Sequence, residues 1–246
     1  MADAVSQPRG VRRLDPHFRW RSTAATRLEG LTDAVFAIVL ALLFLRAEPP
    51  GSFADLQAAM KSLAPFAAMF AIIAYVWVES WLFSRRYELR DGWATFLQLL
   101  LLFLLLFYAY PLKFFFTLLS CALFGPIGEL TAEKMTEGMT SGDIVVLWAF
   151  YGVGYGLIFA VIGLLYWRAH ALADELGLDE IERFLTRSAI LQCAIQVAIA
   201  IASITLAAAG IGLRHGAPGW LYACIGPLMA VHGFWQGRRV ERMRPA

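Results

Sequence analysis

Residues 27–47 read RLEGLTDAVFAIVLALLFLRA, a stretch with three charged side chains in its first seven positions and none in the next twelve. A helix needs about 20 mostly apolar residues to cross the roughly 30 Å hydrocarbon layer of a bilayer. The stretch therefore predicts a first membrane-spanning helix over residues 28–47. Asp33 lies one turn inside this helix, and that position calls for an explanation.

The whole chain has the same apolar character. Its 246 residues are 59% hydrophobic and 16% charged, whereas an ordinary soluble domain has about 45–50% apolar and about 25% charged residues. A soluble domain of this size could not bury so many apolar side chains. The composition predicts an all-α membrane protein, and it excludes disordered, collagen-like and disulfide-stapled chains.

Five further segments are long and apolar enough to span a membrane, and turn or breaker residues separate them. The six predicted spans are residues 28–47, 63–83, 93–119, 143–167, 187–209 and 217–236. The sequence thus divides into a basic N-terminal segment (1–27), a six-helix transmembrane domain (28–236) and a basic C-terminal tail (237–246).

Positive charge is unevenly distributed over the connections. Of the 21 Lys and Arg residues, sixteen lie in the two termini, the second-to-third connection and the fourth-to-fifth connection, and four lie in the other loops. Cytoplasmic loops carry such an excess of Lys and Arg. We expect a multi-pass protein with both termini cytoplasmic. The Arg- and Ala-rich, Lys-poor composition favours a bacterial chain, and hence the inner (plasma) membrane.

Two polar segments flank the spans. Residues 17–21 alternate aromatic and basic side chains, which indicates either a segment resting in the lipid headgroup layer or a basic tail that only fixes orientation. Residues 171–186 indicate a short amphipathic cytoplasmic turn or helix. Asp179 is its expected N-cap, because Glu182 follows three residues later as in a capping box.

Charged side chains within a span are costly, so Asp33 and Glu79 are informative. The first two spans run in opposite directions, which places both carboxylates at a similar depth, with Arg27 just below them. We expect a network in which Arg27 neutralises one or both carboxylates and pins the two helices together. The alternative is that both carboxylates extend towards the interface.

Residues 153–156, VGYG, match part of the selectivity filter of ordinary potassium channels. That filter needs a re-entrant, non-helical loop that presents backbone carbonyls to the ion. Here the string lies in the middle of an apolar span, which leaves no room for such a loop. Gly152 and Gly156 form a Gly-x-x-x-Gly pair, so we expect close helix packing at this point.

Motifs of enzymes and cofactor sites are absent from the sequence. The four histidines are scattered, the three cysteines (Cys121, Cys193 and Cys224) form no cluster, and no P-loop or nucleophile-elbow string is present. We therefore expect no enzymatic activity, no cofactor, no resident metal and no nucleic-acid partner.

Residues 27–38 resemble the first-helix signature of the endosomal/lysosomal potassium channel family, transmembrane protein 175 and its bacterial homologues. That signature is an Arg, three residues, and then Phe-Ser-Asp. Arg27 and Asp33 match it, Thr32 replaces the Ser and Leu31 replaces the Phe. The second and third predicted spans are also similar to the family. The family often has His in the second helix near the position of Glu79.

The resemblance implies a homotetramer of six-helix subunits around a central pore lined by the first helix. Such a channel conducts potassium or other monovalent cations passively, and apolar side chains form its constriction in place of a carbonyl filter. In this chain the constriction would be Ile38, Leu42 and Leu45, and the signature network would be Arg27, Thr32, Asp33 and Glu79. The spacing of the three apolar residues is that of one helical stripe, and facing stripes can gate by dewetting. Otherwise the stripe faces lipid or the subunit core.

Two other functions remain open from the residues alone. A secondary transporter or proton-coupled carrier could use Asp33 and Glu79 as its ion or proton site. Transporters tend to have paired broken helices near the midplane, and the sequence has no convincing pair. A membrane scaffold or integral enzyme is disfavoured by the short loops and the lack of catalytic motifs.

Overall fold

The computed structural model describes residues 17–22, 26–44, 51–213 and 216–243, and these residues form helices joined by turns, with one isolated β-bridge between Ile127 and Leu130. The helices are α1 (Arg27–Phe44), α2 (Phe53–Lys61), α3 (Leu63–Tyr87), α4 (Gly92–Phe124), α5 (Ala132–Thr136), α6 (Ser141–Ala171), α7 (Glu180–Ala208), α8 (Ala217–Ala223) and α9 (Ile225–Met243). The predicted all-α class is confirmed.

Four segments of the described chain are helical, long enough and apolar enough to cross a membrane. They are Phe53–Tyr87, Gly92–Cys121, Ser141–Ala171 and Glu180–Ala208, and they coincide with the second to fifth predicted spans. The first predicted span corresponds to the 18 residues of α1, and its last three positions lie outside the described residues. It remains a prediction, as does the sixth span.

The predicted sixth span, residues 217–236, falls on two helices, α8 and α9, that meet at Cys224. Pro227 explains the break, because a proline ring clashes with the carbonyl four residues earlier, here that of Ala223. At the end of α8, the N–H of Cys224 donates to the carbonyl of Leu221, three residues earlier, at 3.1 Å. Beyond the break α9 continues to Met243, past the predicted end.

Helix α6 is central to the bundle, since it packs along α7 and also against α4. Helix α1 packs against α4 and α3. Glycines bring α6 and α7 close together. A Cβ atom on Gly152 would lie 2.4 Å from Cγ1 of Ile204, and one on Gly156 would lie 3.3 Å from Cβ of Ala200. Residues 153–156 are helical within α6. The expected role of this glycine pair in helix packing is therefore confirmed.

Residues 17–22, which we call the arm, pack against protein, and neither sequence interpretation of residues 17–21 describes this. The Phe18 side chain is 3% exposed, and its ring meets that of Tyr87 edge-on at 5.3 Å between centroids. Trp20 meets Trp81 in the same way at 5.4 Å. Aromatic and basic residues suit a headgroup layer, but here they find aromatic partners at the end of α3. We call this end of the bundle the arm end.

The connection between α6 and α7 is a turn, residues 172–179, without a separate helix. Asp179 is an N-cap, as expected, and it forms a capping box with Glu182. The box starts the long helix α7, so residues 171–186, predicted as an amphipathic turn or helix, form the turn and the first two turns of α7.

Replacement of Gly152 by Ala tests the packing of α6 on α7. Overpacking typically costs about 1–3 kcal/mol, more than the roughly 1 kcal/mol that Ala gains over Gly in a helix. We expect Gly152→Ala to lower the thermal unfolding midpoint in detergent. Gly233→Ala in α9 is the control, because a Cβ there meets nothing within 4 Å. A Gly152→Ala protein as stable as this control would contradict the account.

Candidate functional site on the first helix

A capping box defines the start of α1. The N–H of Thr26 donates to Oε2 of Glu29 at 2.8 Å, and the N–H of Glu29 donates to Oγ1 of Thr26 at 3.1 Å. Each side chain thereby satisfies a backbone N–H that a helix start leaves without an intrahelical partner. The first turn of the candidate pore helix is therefore well defined.

Helix α1 has one buried face and one exposed face. The buried face follows the i, i+3, i+4, i+7 pattern of a helix that packs on one side, and it consists of Thr32, Val35, Phe36, Val39 and Leu43. On the exposed face, Ile38 is 52% and Leu42 is 51% exposed. Leu45, the third predicted constriction residue, lies outside the described residues. The described part of the subunit thus leaves one apolar face of α1 uncovered.

Asp33 attaches α1 to α3 through a hydrogen bond. Nε1 of Trp77 donates to Oδ1 of Asp33 at 2.8 Å. The Trp77 ring stacks on Trp81 with centroids 6.5 Å apart, which holds the indole in place. The structure thus shows Trp77 as the partner of the helix-one carboxylate.

Glu79 attaches α3 to α6. The hydroxyl of Tyr166 donates to Oε2 of Glu79 at 2.8 Å, and Tyr166 is fully buried. Residues two apart on a helix are separated by about 200° around its axis, so Trp77 and Glu79 point to opposite sides of α3. Asp33 of α1 is therefore bonded to α3, whereas Glu79 of α3 is bonded to α6.

Arg27 is exposed, and among the described contacts it pairs with neither predicted carboxylate. Arg27 and Asp33 are six positions apart in α1, which places their side chains about 120° apart around the helix axis. The cation that faces the first turn is Arg85 of α3, whose Nε lies 3.9 Å from Oε1 of Glu29. Thr32 donates to the carbonyl of Leu28 in its own helix at 2.8 Å.

Glu29 and Arg85 were missed at the sequence level. Glu29 precedes Asp33 by four residues, so both lie on one side of α1, and Arg85 belongs to the basic end of α3. Only the packing of α1 on α3 shows that Glu29, and not Asp33, faces an arginine.

A polar pocket of about 90 Å³ lies between α1 and α3 at the arm end. Its lining residues are Glu29, Thr32, Asp33, Trp77, Ser80, Trp81, Ser84 and Arg85. A pocket of this size and polarity can hold ordered water. Within the described residues, no group of three or more His, Cys, Asp or Glu side chains is arranged to hold a metal ion.

Comparison with known proteins gives matches of three kinds: a family model, a sequence relative and a solved structure. The family model for the endosomal/lysosomal potassium channel TMEM175 matches residues 27–108. A protein of Marivirga tractuosa described as a potassium channel is 35% identical over 234 residues, which cover 94% of this chain and 95% of that protein. A crystal structure of a variant of the potassium channel MtTMEM175, in complex with a nanobody–MBP fusion, has a TM-score of 0.77 and 34% identity, covering 92% of this chain and 99% of that one.

Replacement of Trp77 by Phe tests the attachment of α1 to α3. The substitution keeps an aromatic ring and removes the Nε1–H donor, so Asp33 loses its partner. We expect the free energy of unfolding to fall by about 1 kcal/mol, the usual net value of one hydrogen bond, seen as a lower thermal midpoint in detergent. Trp93→Phe, at a tryptophan of α4 that is 48% exposed, should leave the midpoint unchanged. Equal midpoints for both variants would remove this bond from the contacts that hold α1.

Proposed function

The chain belongs to the TMEM175 family of potassium channels, and from this we propose that it conducts potassium passively through a pore whose constriction is the exposed apolar face of α1. The observation that carries the proposal is the exposure of Ile38 and Leu42, each about half exposed although the opposite face of the helix is buried.

A single copy of α1 cannot enclose a path for ions. The pore therefore requires several subunits, and we propose a homotetramer in which four copies of α1 surround the axis. Their exposed faces would then form successive apolar rings at Ile38, Leu42 and, outside the described residues, Leu45. This assembly would also cover the apolar face of α1 that is exposed in the single subunit.

Apolar rings act on ions through hydration. A narrow apolar passage tends to lose its water, and an ion that must shed its hydration shell meets a barrier there. The constriction would thus be formed by side chains and would need no backbone carbonyls. The helical state of residues 153–156 supports this proposal, because the carbonyls of a continuous helix are engaged in its own hydrogen bonds.

The polar contacts at the arm end would fix the direction of α1 and hence the radius of these rings. Asp33 bonds to Trp77 of α3, and Glu29 faces Arg85. Glu79 would act on α1 indirectly, by fixing α3 against α6. Since Arg27 has no acidic partner among the described residues of its own subunit, it would contribute through a contact with a neighbouring copy.

We place the arm end on the cytoplasmic side of a bacterial plasma membrane. The described basic residues at the ends of the long helices support this orientation: the arm end carries Arg85, Arg86, Arg90, Arg168 and Arg183, and the opposite end carries Lys61 and Lys134. Cytoplasmic loops have such an excess of positive charge. Both termini would then be cytoplasmic, and the bilayer would surround the bundle.

A proton-coupled carrier that uses Asp33 and Glu79 is less well supported. Such a site needs the two carboxylates to face one shared space. Their hydrogen bonds instead direct Asp33 to Trp77 and Glu79 to Tyr166, on opposite sides of α3. Membership in a channel family likewise favours a passive pore over an enzyme or a scaffold.

Replacement of Ile38 by Asn tests the constriction. A polar side chain in the Ile38 ring should keep that ring hydrated, so we expect potassium flux from protein-loaded liposomes to rise several-fold. Ile201→Asn is the matched control, since Ile201 of α7 is 56% exposed but lies outside the proposed pore. It should leave the flux unchanged, provided that both variants keep the oligomeric mass of the unsubstituted protein.

Three results would contradict the proposal. One is a complete lack of potassium flux from the unsubstituted protein in liposomes. Another is an oligomeric mass in detergent that corresponds to a monomer. The third is a flux in correctly assembled Ile38→Asn protein that equals the flux of the Ile201→Asn control.

A further inference from the structure

Arg21 of the arm holds three parts of the bundle together. Its guanidinium forms a two-point ion pair with Glu182 of α7, with 2.7 Å from Nη2 to Oε2 and 3.3 Å from Nη1 to Oε1. Nε donates to the carbonyl of Leu176, in the turn after α6, at 3.1 Å. Nη1 also donates to the carbonyl of Arg86, in the last turn of α3, at 3.0 Å. Only a planar guanidinium can donate in this many directions at once.

The carboxylate of Glu182 is buried at the centre of these contacts, with 1% of its side chain exposed, while the Arg21 side chain is 14% exposed. Besides Arg21, it accepts from the backbone N–H of Arg19 at 2.8 Å and from that of Asp179 at 3.2 Å. An ionised carboxylate at this depth requires such partners, because removal from water is costly. The arm and the start of α7 therefore meet around a single buried charge.

The arm also caps the end of α3. The N–H groups of Arg21 and Ser22 donate to the carbonyl of Arg85 at 3.0 and 3.3 Å. The last carbonyls of a helix have no partner within it, so the arm supplies the missing donors. A guanidinium at this position is also favoured by the negative end of the helix dipole.

The same residue of α3 connects the arm to the first turn of α1. The carbonyl of Arg85 holds the arm, and its side chain lies 3.9 Å from Glu29 of α1. Along the chain, Ser22 and Thr26 are four residues apart and so at most about 14 Å apart. The arm is therefore near α1 along the chain, and a displacement of the arm against the turn at residues 172–179 reaches α1 through Arg85.

We propose that Arg21 and Glu182 are positioning residues for the pore. They lie outside the path of the ion and attach the first turn of α1 to the α6–α7 turn, and this attachment sets how often the α1 constriction is open. The inference rests on the proposed channel function. It assigns the arm a role in gating that is separate from the conductance of the open pore.

Single-channel recording of the purified full chain in planar bilayers tests this role. Arg21→Lys keeps the charge and loses the two-point geometry, while Glu182→Gln keeps the shape and loses the charge. For each we expect open probability to shift about tenfold, a common size for coupling between two sites, at unchanged unitary conductance. The double variant should shift no further than the larger single variant, because both substitutions break one contact. If Glu182→Gln does not assemble, Arg21→Lys carries the test.

Arg183→Gln is the matched control, because Arg183 lies next to Glu182 in the first turn of α7. Arg183 pairs with the exposed carboxylate of Asp174 and lowers the pKa of that carboxyl by a hydrogen bond, but its described bonds do not include the arm. We expect Arg183→Gln to leave open probability unchanged. A purely structural role for Arg21 and Glu182 would lower the thermal midpoint in their variants and leave open probability as it was.

The outcomes separate this inference from the proposed function. Potassium currents with the same open probability in Arg21→Lys, Glu182→Gln and the unsubstituted protein would overturn the inference alone. A change of unitary conductance in either variant would also overturn it, because that result places the pair in the ion path. A lack of potassium current in the unsubstituted protein would overturn the proposed function together with the inference.

Discussion

The hydrogen bond from Trp77 to Asp33 is the contact on which the proposed pore depends. Lipid tails are as apolar as leucine side chains, so the hydrophobic effect does not drive helices together within a bilayer. Helix α1 presents mostly apolar residues, and its polar links to α3 are this bond and the approach of Glu29 to Arg85. These links at one end leave the face with Ile38 and Leu42 free to meet other copies.

The other helices of the bundle pack and bond to one another and so position that end. Close packing holds α6 on α7, where Gly152 and Gly156 allow the backbones to approach. Buried polar contacts then join this pair to α3, through Tyr166 and Glu79 and through Tyr87 and Thr186, whose hydroxyl oxygens are 2.7 Å apart. Because α3 in turn holds α1, the position of the pore helix is set by the whole bundle.

The sequence predicted features that depend on local pattern. Apolar length located four spans. The glycine pair marked a point of close helix packing, which the structure shows between α6 and α7, and Asp179 with Glu182 marked a helix start, which the structure shows to be that of α7. It did not predict which polar side chains meet. Arg27 and Asp33 are close in sequence but lie on different sides of α1, and the partners of Glu79 and Glu182 are 87 and 161 residues away in the chain. Such pairings follow from packing between helices, which no local pattern contains. Arg21 looked like one basic tail residue among several for the same reason.

If the exposed face of α1 lines the ion path, chemical modification at Ile38 must alter the flux. The three native cysteines, two buried and one exposed, are first replaced by Ser, and Ile38→Cys is then introduced. Potassium flux from liposomes is measured before and after treatment with a charged methanethiosulfonate reagent. We expect modification of Ile38→Cys to change the flux strongly and the same treatment of Ile201→Cys to leave it unchanged. Complete modification of Ile38→Cys with unchanged flux would contradict the assignment of this face to the ion path.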